Sequence, residues 1–327
     1  KKILDAFFIV DRLLPIWTML WSFRIWRLLK NHNCEMVHAH DLYMIRPLFF
    51  LRKFGIKPNI VLDLHENYPA TIQTYGWAKR GWRNFVFKPS RWKDLENKYL
   101  SIVTYIIVLS EYFRDQLVDR YSFLKQSQFI VYPNLPQVEK YKLVSKVLNT
   151  APPFTFCYLG VLAERRGLYD IMNTFSVLFD EKKPVKLMLA GPIDGPDRAS
   201  FEAFLKNYAE YVEYDAWVEK KDMLSYFQSA HVLLSPLLVN DQHNSGIANK
   251  IFQYVLANRP LLASNCIPQA EFVEQYKIGM VYKNDSKQSF YDAVIKMTTN
   301  YDDYCYDNGL DIVNDYASKY PEATFLK

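Results

Sequence analysis

The segment from His243 to Ala263, which reads HNSGIANKIFQYVLANRPLLA, decides the fold of this chain. A polar turn that contains Gly246 runs into an apolar helix, a proline ends that helix, and a short apolar strand follows. A turn that opens a helix presents free backbone N–H groups and the positive end of the helix dipole, a combination that attracts phosphate. Because Asn249 and Lys250 add an amide donor and a full positive charge, the segment predicts a phosphate-binding turn.

Short β-branched runs alternate with helical patterns along the whole chain. Strands are predicted at Met36–Ala39, Ile60–Leu64, Tyr105–Leu109, Phe129–Tyr132, Phe154–Leu159, Val185–Ala190, Val212–Val218, Val232–Ser235 and Leu261–Ala263. Regular strand–helix alternation indicates an α/β protein with parallel sheets covered by helices on both faces. A polar stretch at 142–153 interrupts the pattern, and we therefore predict two Rossmann-like domains, residues 1–145 and 150–327.

The composition agrees with two domains. The chain has 327 residues, half of them apolar, which is enough for two cores. Its four cysteines lie far apart, which argues against a disulfide scaffold or a zinc ribbon and favours a reducing cytoplasm. Only about 35 residues precede Val37, where this architecture usually has two or three strands. We therefore expect the first domain to be incomplete at its start.

A second candidate phosphate site follows the predicted strand Phe154–Leu159. Gly160 would let the backbone approach a ligand, and Arg165 and Arg166 could neutralise a diphosphate. Two merely solvated arginines at a helix start would oppose the helix dipole, which disfavours the alternative of an ordinary basic surface. The pattern predicts a phosphate clamp made of Gly160, Arg165 and Arg166.

Histidines and carboxylates follow two predicted strands of the first half, in the segments His38–Asp41 and Asp63–Glu66. His-x-His and Asp-x-His are plausible spacings for zinc, iron or manganese ligands. A metallohydrolase, however, needs three to five converging ligands, and His32, His231 and His243 show no supporting spacing. The sequence therefore favours a site without metal, while ordinary hydrogen-bonded histidines in strand-end loops remain an alternative.

These segments resemble the motifs of family-4 retaining glycosyltransferases of the GT-B fold. Ala248–Tyr254 is similar to the family's Pro-Asn-Lys-Leu-Phe-Glu-Tyr, and Tyr158–Leu168 to its Gly-Arg-Leu…Lys-Gly segment. His38–Asp41 and Asp63–Glu66 are similar to the strand ends Ala-His-Asp and Asp-x-His-Glu of the family's amino-terminal domain. The motifs occur in the family's order from Val37 to about Tyr282.

The resemblance implies two Rossmann-like domains facing a central cleft, and retaining sugar transfer from a nucleotide-diphosphate sugar without a metal or other cofactor. It implies that His65 faces the transferred sugar and is the catalytic candidate. His40, Asp41 and Glu66 would lie on the acceptor side. The implied donor-binding residues are Gly160, Arg165, Arg166, Ser245, Gly246, Asn249, Lys250 and Gln253.

The chain departs from the family pattern at three of its charged positions. Two family glutamates, eight residues apart, fall on Ser245 and Gln253, and a family arginine falls on Val161. Gln253 retains an acceptor oxygen and two N–H donors for a ribose. The missing carboxylates leave open a GT-B-shaped binding or scaffold subunit with impaired catalysis.

A metallohydrolase using His38, His40, Asp63 and His65 is the second alternative that the sequence leaves open. It differs from the transferase in needing a bound metal for activity. Elemental analysis of the purified protein would distinguish the two.

Basic and aromatic side chains concentrate in the first hundred residues, which hold 17 Lys/Arg against 8 Asp/Glu. Gly76–Lys93 interleaves five large aromatic and six basic residues, and Leu13–Leu29 is the most apolar run, interrupted by Arg24 and Arg27. That run is too short for a transmembrane span and predicts a buried or an interfacial helix. The same composition can hold nucleic acid, or form a solvated basic loop with a few core aromatics, but we favour an anionic membrane surface.

The predicted location is therefore cytoplasmic, peripheral at the inner face of a bacterial cell membrane. The acceptor implied by this surface is a lipid-linked surface-polysaccharide precursor, with another saccharide as the alternative. A composition rich in Lys, Asn, Tyr and Ile suggests a low-GC bacterium. Nucleic acid is not expected as a partner.

Overall fold

A computed structural model describes residues 15–74, 89–138 and 151–320. The chain divides into two compact units, Lys1–Tyr132 and Pro133–Lys327. The sequence placed this division at 145–150, whereas the second unit begins directly after the last strand of the first sheet. Tyr132 still donates its N–H to the carbonyl of Val108 at 2.7 Å, and it thereby ties the end of the first unit to that sheet.

The first unit contains a parallel four-stranded sheet in the order β1-β2-β3-β4. The strands are β1 Met36–His40, β2 Asn59–Asp63, β3 Tyr105–Val108 and β4 Phe129–Val131. The helices are α1 Ile16–His32, α2 Ile45–Arg52, α3 Tyr68–Thr74, α4 Pro89–Leu100 and α5 Glu111–Arg120. Ser110 caps α5, since its Oγ accepts a hydrogen bond from the N–H of Phe113. All four strands of this half occur where the sequence predicts them.

Helix α1 has an unusual orientation for so apolar a segment. Its buried residues are Thr18 and Ser22, and the Ser22 hydroxyl lies 2.6 Å from the Thr18 carbonyl and 3.0 Å from that of Pro47 on α2. Small side chains let α1 approach α2 closely. Large apolar side chains are left exposed, namely Ile16, Met19, Leu20, Trp21, Phe23 and Leu28.

The described part of Leu13–Leu29 is therefore helical. Of the two predictions for this run, a buried helix and an interfacial helix, the buried helix is wrong. Most of Gly76–Lys93 lies outside the described residues. Among the helices of the described ranges, none combines the length and the apolarity that crossing a bilayer requires.

The second unit contains a parallel six-stranded sheet in the order β10-β9-β8-β5-β6-β7. The strands are β5 Phe154–Leu159, β6 Val185–Ala190, β7 Val212–Asp215, β8 Val232–Ser235, β9 Leu261–Ser264 and β10 Gly279–Tyr282. The helices are α6 Leu168–Asp180, α7 Arg198–Asn207, α8 Met223–Gln228, α9 Asn249–Leu256, α10 Ile267–Tyr276, α11 Lys287–Thr299 and α12 Gly309–Ser318. Strand β7 ends earlier than predicted, and β10 was not predicted.

Side chains alternate across β5, so that the sheet of the second unit separates two apolar layers. Phe156 points into a cluster with Phe175 of α6 and Val294 of α11, whereas Cys157 points into a cluster with Phe252 of α9 and Ile312 of α12. Helices therefore cover both faces, as the sequence predicts. The strand order is that of a doubly wound Rossmann sheet, in which the connections reverse direction between β5 and β8.

Candidate functional site

The reversal point between β5 and β8 locates the candidate site of the second unit. In open α/β sheets, ligands bind outside the carboxyl ends of the strands where the order reverses. The chain leaving β5 carries Gly160, Arg165 and Arg166, and the chain leaving β8 leads to Lys250 at the start of α9. Both phosphate-binding segments predicted from the sequence are therefore attached to the two central strands.

Glycines allow the connections at this edge to approach one another. Gly160 has φ +155°, and a Cβ added to Gly191 after β6 would overlap the carbonyl of Gly160. Gly167 has φ +81°, and a Cβ there would overlap the carbonyl oxygen of Pro236, directly after β8. The short 3₁₀ turn Glu164–Arg166 is thus held against the chain leaving β8.

Asp197 anchors the same turn from the other side, a role that no sequence pattern indicated. Its buried carboxylate accepts hydrogen bonds from the backbone N–H of Glu164 at 3.0 Å and from the hydroxyl of Tyr169 at 3.2 Å. A carboxylate bonded to both the start of the turn and the first turn of α6 restricts where Arg165 and Arg166 can lie.

The cationic side chains of the two segments occupy one electrostatic neighbourhood. The pKa of His243 is lowered to about 4, first by burial and then by the charges of Arg166, Arg165 and Lys250, while a hydrogen bond with the Leu238 carbonyl acts in the opposite direction. A charge that shifts the pKa of an imidazole must lie near that imidazole. The structure therefore brings the predicted arginines and lysine together around His243.

Lys250 is enclosed by aromatic rings. Its Nζ lies 4.0 Å from the ring centroid of Tyr158 on β5 and 6.0 Å from that of Tyr254. Although the residue as a whole is only partly buried, enclosure of its ammonium and then the charge of Arg166 lower its pKa well below the usual value. A cation held this way gains strongly from an anionic ligand.

The remaining predicted donor-binding residues lie on or beside α9. Asn249 is exposed at the first position of the helix, and Gln253 is half-buried one turn later. Gly246 is fully extended, with φ 175°. The buried hydroxyl of Ser245 donates to the carbonyl of Gln242 at 2.7 Å, so it satisfies its own 3₁₀ turn.

His243 is a residue of this region for which sequence reasoning found no role. The ring Nδ1 of His243 lies 2.6 Å from the carbonyl oxygen of Leu238. The backbone N–H of His243 donates a hydrogen bond to Oδ1 of Asn240 at 2.9 Å. Because a carbonyl can only accept, Nδ1 carries the proton, and Nε2 of the neutral ring is an acceptor. Its position in the polar turn before α9 was the available sequence signal.

Three histidines of the first unit converge on one carboxylate. His38 and His40 lie on the same face of β1, and His40 is the register partner of Asp63 on β2. The Oδ2 of Asp63 lies 3.4 Å from His40 Nδ1, 3.4 Å from His65 Nε2 and 3.9 Å from His38 Nε2. Parallel pairing thus assembles four side chains that the sequence only spaced along two strands.

His65 is hydrogen-bonded to His40, with 3.0 Å between Nε2 and Nδ1. The two rings are nearly parallel, with an angle of 2° between their planes and 5.3 Å between their centroids. His40 therefore orients the ring of the catalytic candidate. Burial, and then the proximity of His40, lower the pKa of His38.

The other acceptor-side candidates surround Tyr43. Asp41 has φ +68°, donates its N–H to the carbonyl of Asp63 at 2.8 Å and begins the turn Leu42–Met44. Burial raises the pKa of Asp41, and burial followed by Asp41 and Glu66 raises that of Tyr43. His40, Asp41 and Glu66 therefore lie at the same carboxyl edge of the first sheet.

Comparison with known families matches both units. The profile described as Glycosyltransferase Family 4 matches residues 3–134, and that described as Glycosyl transferases group 1 matches residues 153–300. The chain belongs to the family-4, group 1 glycosyltransferases of the GT-B fold. The resemblance stated from the sequence is thereby confirmed. No curated protein sequence matches the chain.

Solved structures share the fold at low sequence identity. Sucrose-phosphate synthase from Thermosynechococcus elongatus has 13% identity and a TM-score of 0.67, over 94% of this chain and 78% of its own. An E. coli protein described as trehalose-6-phosphate bound with UDP-2-fluoro glucose has 14% identity and a TM-score of 0.67, over 92% and 73%. WaaG, described as a glycosyltransferase involved in lipopolysaccharide biosynthesis, has 13% identity and a TM-score of 0.61, over 92% and 79%.

Proposed function

We propose that this glycosyltransferase moves a hexose from a nucleotide-diphosphate sugar to its acceptor with retention of configuration. The observation that carries the proposal is the convergence of Arg165, Arg166 and Lys250 at the reversal point of the second sheet. A similar structure was determined with UDP-2-fluoro glucose, which supports a nucleotide-sugar donor.

The donor diphosphate is proposed to lie between the turn Glu164–Arg166 and the start of α9. The guanidinium groups, the Lys250 ammonium and the amino end of α9 neutralise the charge that develops on the leaving diphosphate. Transfer proceeds without a metal in this proposal, because these groups supply the positive charge. Gly160 leaves room for the diphosphate beside the end of β5.

The sugar and ribose contacts are proposed from the family positions. Gln253 hydrogen-bonds the donor ribose through its amide, while Ser245, Gly246 and Asn249 line the donor site. His65 donates a hydrogen bond to the transferred sugar, with its ring held by His40. His40, Asp41 and Glu66 contribute to the acceptor side.

The acceptor is proposed to be a lipid-linked surface-polysaccharide precursor, reached from the inner face of the cell membrane. Helix α1 supports this assignment because it exposes large apolar side chains next to Arg24, Arg27 and Lys30 and contains no acidic residue. The likeness to WaaG, which acts in lipopolysaccharide biosynthesis, points to the same class of acceptor.

A binding subunit with impaired catalysis is the second candidate, and the side chains at positions 245 and 253 favour it. Ser245 and Gln253 replace both family glutamates, and the Ser245 hydroxyl bonds to its own turn. Such a subunit would bind the nucleotide sugar and leave the sugar attached to it.

Turnover separates the two candidates. The protein is incubated with a panel of UDP- and GDP-sugars, and released nucleotide is measured with and without lipid-linked acceptors. A transferase releases nucleotide in an acceptor-dependent way, and His65→Ala lowers this rate while leaving UDP or GDP affinity unchanged. Tight nucleotide-sugar binding without release under any condition would establish the binding subunit instead.

A further inference from the structure

The cluster around Asp63 has a second chemical capacity. His38, His40 and Asp63 each offer a ligand atom, and these three atoms all lie within 4.8 Å of one another. Two imidazoles and a carboxylate form a donor set that suits zinc and other borderline divalent ions. We infer that this cluster is a binding site for a divalent transition metal such as Zn²⁺.

The distances between the donor atoms favour a small tetrahedral ion. Ligands about 2.0–2.1 Å from zinc lie roughly 3.3 Å from one another in a tetrahedral site. Asp63 Oδ2 is 3.4 Å from His40 Nδ1 and 3.9 Å from His38 Nε2. The rings of His38 and His40 are stacked, with centroids 4.5 Å apart and planes 29° apart, so both rings must rotate to turn their nitrogens toward one ion.

The scaffold favours binding because the backbone positions are fixed while the rings are accessible. His38 and His40 share a face of β1, and the parallel pairing of His40 with Asp63 fixes the carboxylate beside them. The histidine side chains are 43% and 59% exposed, whereas that of Asp63 is 13% exposed. An ion can thus enter from solvent and meet a positioned carboxylate.

Binding at this site would affect His65 directly. His65 Nε2 lies 3.0 Å from His40 Nδ1, the atom that we assign as the zinc ligand of His40. Zinc therefore breaks the hydrogen bond that orients His65, or recruits His65 as a further ligand. In either case the imidazole is withdrawn from the sugar, so zinc inhibits transfer; this consequence rests on the proposed function.

Calorimetric titration of the chelator-treated full chain with ZnCl₂, without any sugar substrate, tests the site itself. The expected result is one zinc ion per chain, bound at least about tenfold more weakly by His38→Ala, a variant that loses one direct ligand. His38 is outside the proposed donor and acceptor contacts, so the variant leaves those contacts in place.

His32→Ala is the matched control. His32 lies at the end of α1, close in sequence to the exposed thiol of Cys34, and these two residues are an alternative pair of zinc ligands. Loss of the His32 imidazole should leave zinc affinity unchanged. X-ray absorption spectroscopy at the zinc K-edge should show nitrogen and oxygen ligands and no sulfur ligand. Equal affinity in wild type and His38→Ala, sulfur ligation, or no zinc uptake would each overturn the site.

The inhibitory consequence is measured separately, in the transfer assay. Zinc should inhibit the wild type, a chelator should restore its rate, and His38→Ala should require about tenfold more zinc for the same inhibition. Inhibition at the same zinc concentration in both proteins would contradict the consequence. A protein that binds zinc but shows no transfer would refute the proposed function and leave the metal site standing.

Discussion

The ammonium of Lys250 lies 4.0 Å from the centroid of the Tyr158 ring, so the first turn of α9 is coupled to the central strand β5. Tyr254 supports the same connection, since its hydroxyl accepts a hydrogen bond from the N–H of Leu159 at 3.4 Å. The Tyr158 hydroxyl in turn donates to the carbonyl of Val161. One network therefore links the chain that leaves β5 to the cation at the start of α9.

Nucleotide binding should be accompanied by uptake of a proton at Lys250. Enclosure and Arg166 lower the pKa of the free ammonium, and a bound diphosphate raises it again. Between these two pKa values, the complex holds more protons than the free protein. Calorimetry of UDP or GDP binding from pH 7 to 10, in buffers of different ionisation enthalpy, measures the uptake.

Lys250→Arg is the control for this measurement, because a guanidinium remains charged throughout the range. It should bind nucleotide without the proton uptake seen in the wild type. Proton release, or equal uptake in both proteins, would contradict a diphosphate at Lys250.

Gly167→Ala should destabilise the protein by about 2–4 kcal/mol. Alanine at this position would have to adopt a left-handed backbone conformation at φ +81°, and its methyl group would overlap the carbonyl of Pro236. Chemical denaturation measures the loss, and weaker UDP binding should accompany it because Arg166 precedes Gly167. Gly195→Ala is the matched control, since no heavy atom lies within 4 Å of a Cβ at that position. Equal stability of the two variants would refute the packing described for Gly167.

His243 should make stability fall on acidification between about pH 6.5 and pH 4. Its folded pKa of about 4 lies below the ordinary value of 6.5, so the unfolded chain binds the proton more readily in that interval. The contribution of His243 to the free energy of unfolding is therefore fully present above pH 6.5. It is lost as the pH falls toward 4, by up to about 3 kcal/mol.

The corresponding measurement compares the unfolding free energies of wild type and His243→Asn at several pH values. The advantage of the wild type should shrink from pH 7 to pH 4. His32→Asn, which changes an exposed histidine, should keep a constant difference from the wild type. A constant difference for His243→Asn as well would show that His243 is not buried in its neutral form.

Helix α1 should bind anionic bilayers reversibly and in a salt-sensitive way. Its basic residues each contribute about 1 kcal/mol near an anionic surface, and its exposed apolar side chains enter the interface. Sedimentation with anionic and neutral liposomes at low and high salt measures this. Phe23→Glu should reduce binding, whereas Trp217→Glu, at an exposed tryptophan of the second unit, should not. Absence from the pellet under every condition would remove the membrane assignment.

The fold was largely predictable because nine strands have short apolar runs bounded by turn residues. Strand β10, Gly279–Tyr282, was missed because its four residues are too few to show a clear period. The turn before α9 was also predictable, since Gly246 and the helix start are local signals. The order of the strands in each sheet was not predictable, because it depends on contacts between segments that are distant in the sequence.

Side-chain environments at the two sites were less predictable than the elements that carry them. The enclosure of Lys250 by Tyr158 joins residues 92 positions apart, and Asp197 reaches the Glu164 turn from another strand connection. The convergence of His38 and His40 on Asp63 depends on the register of β1 and β2, which no spacing in the sequence specifies.

The diphosphate site is tested most directly by calorimetric measurement of UDP and GDP affinity in three proteins, namely wild type, Arg166→Ala and Lys250→Met. Each substitution should weaken binding of the preferred nucleotide by about 10- to 100-fold, because one charge-assisted contact is lost. Arg198→Ala, at a surface arginine paired with Glu202, should bind as the wild type does. Unchanged affinity in both the Arg166 and the Lys250 variant would contradict the diphosphate site.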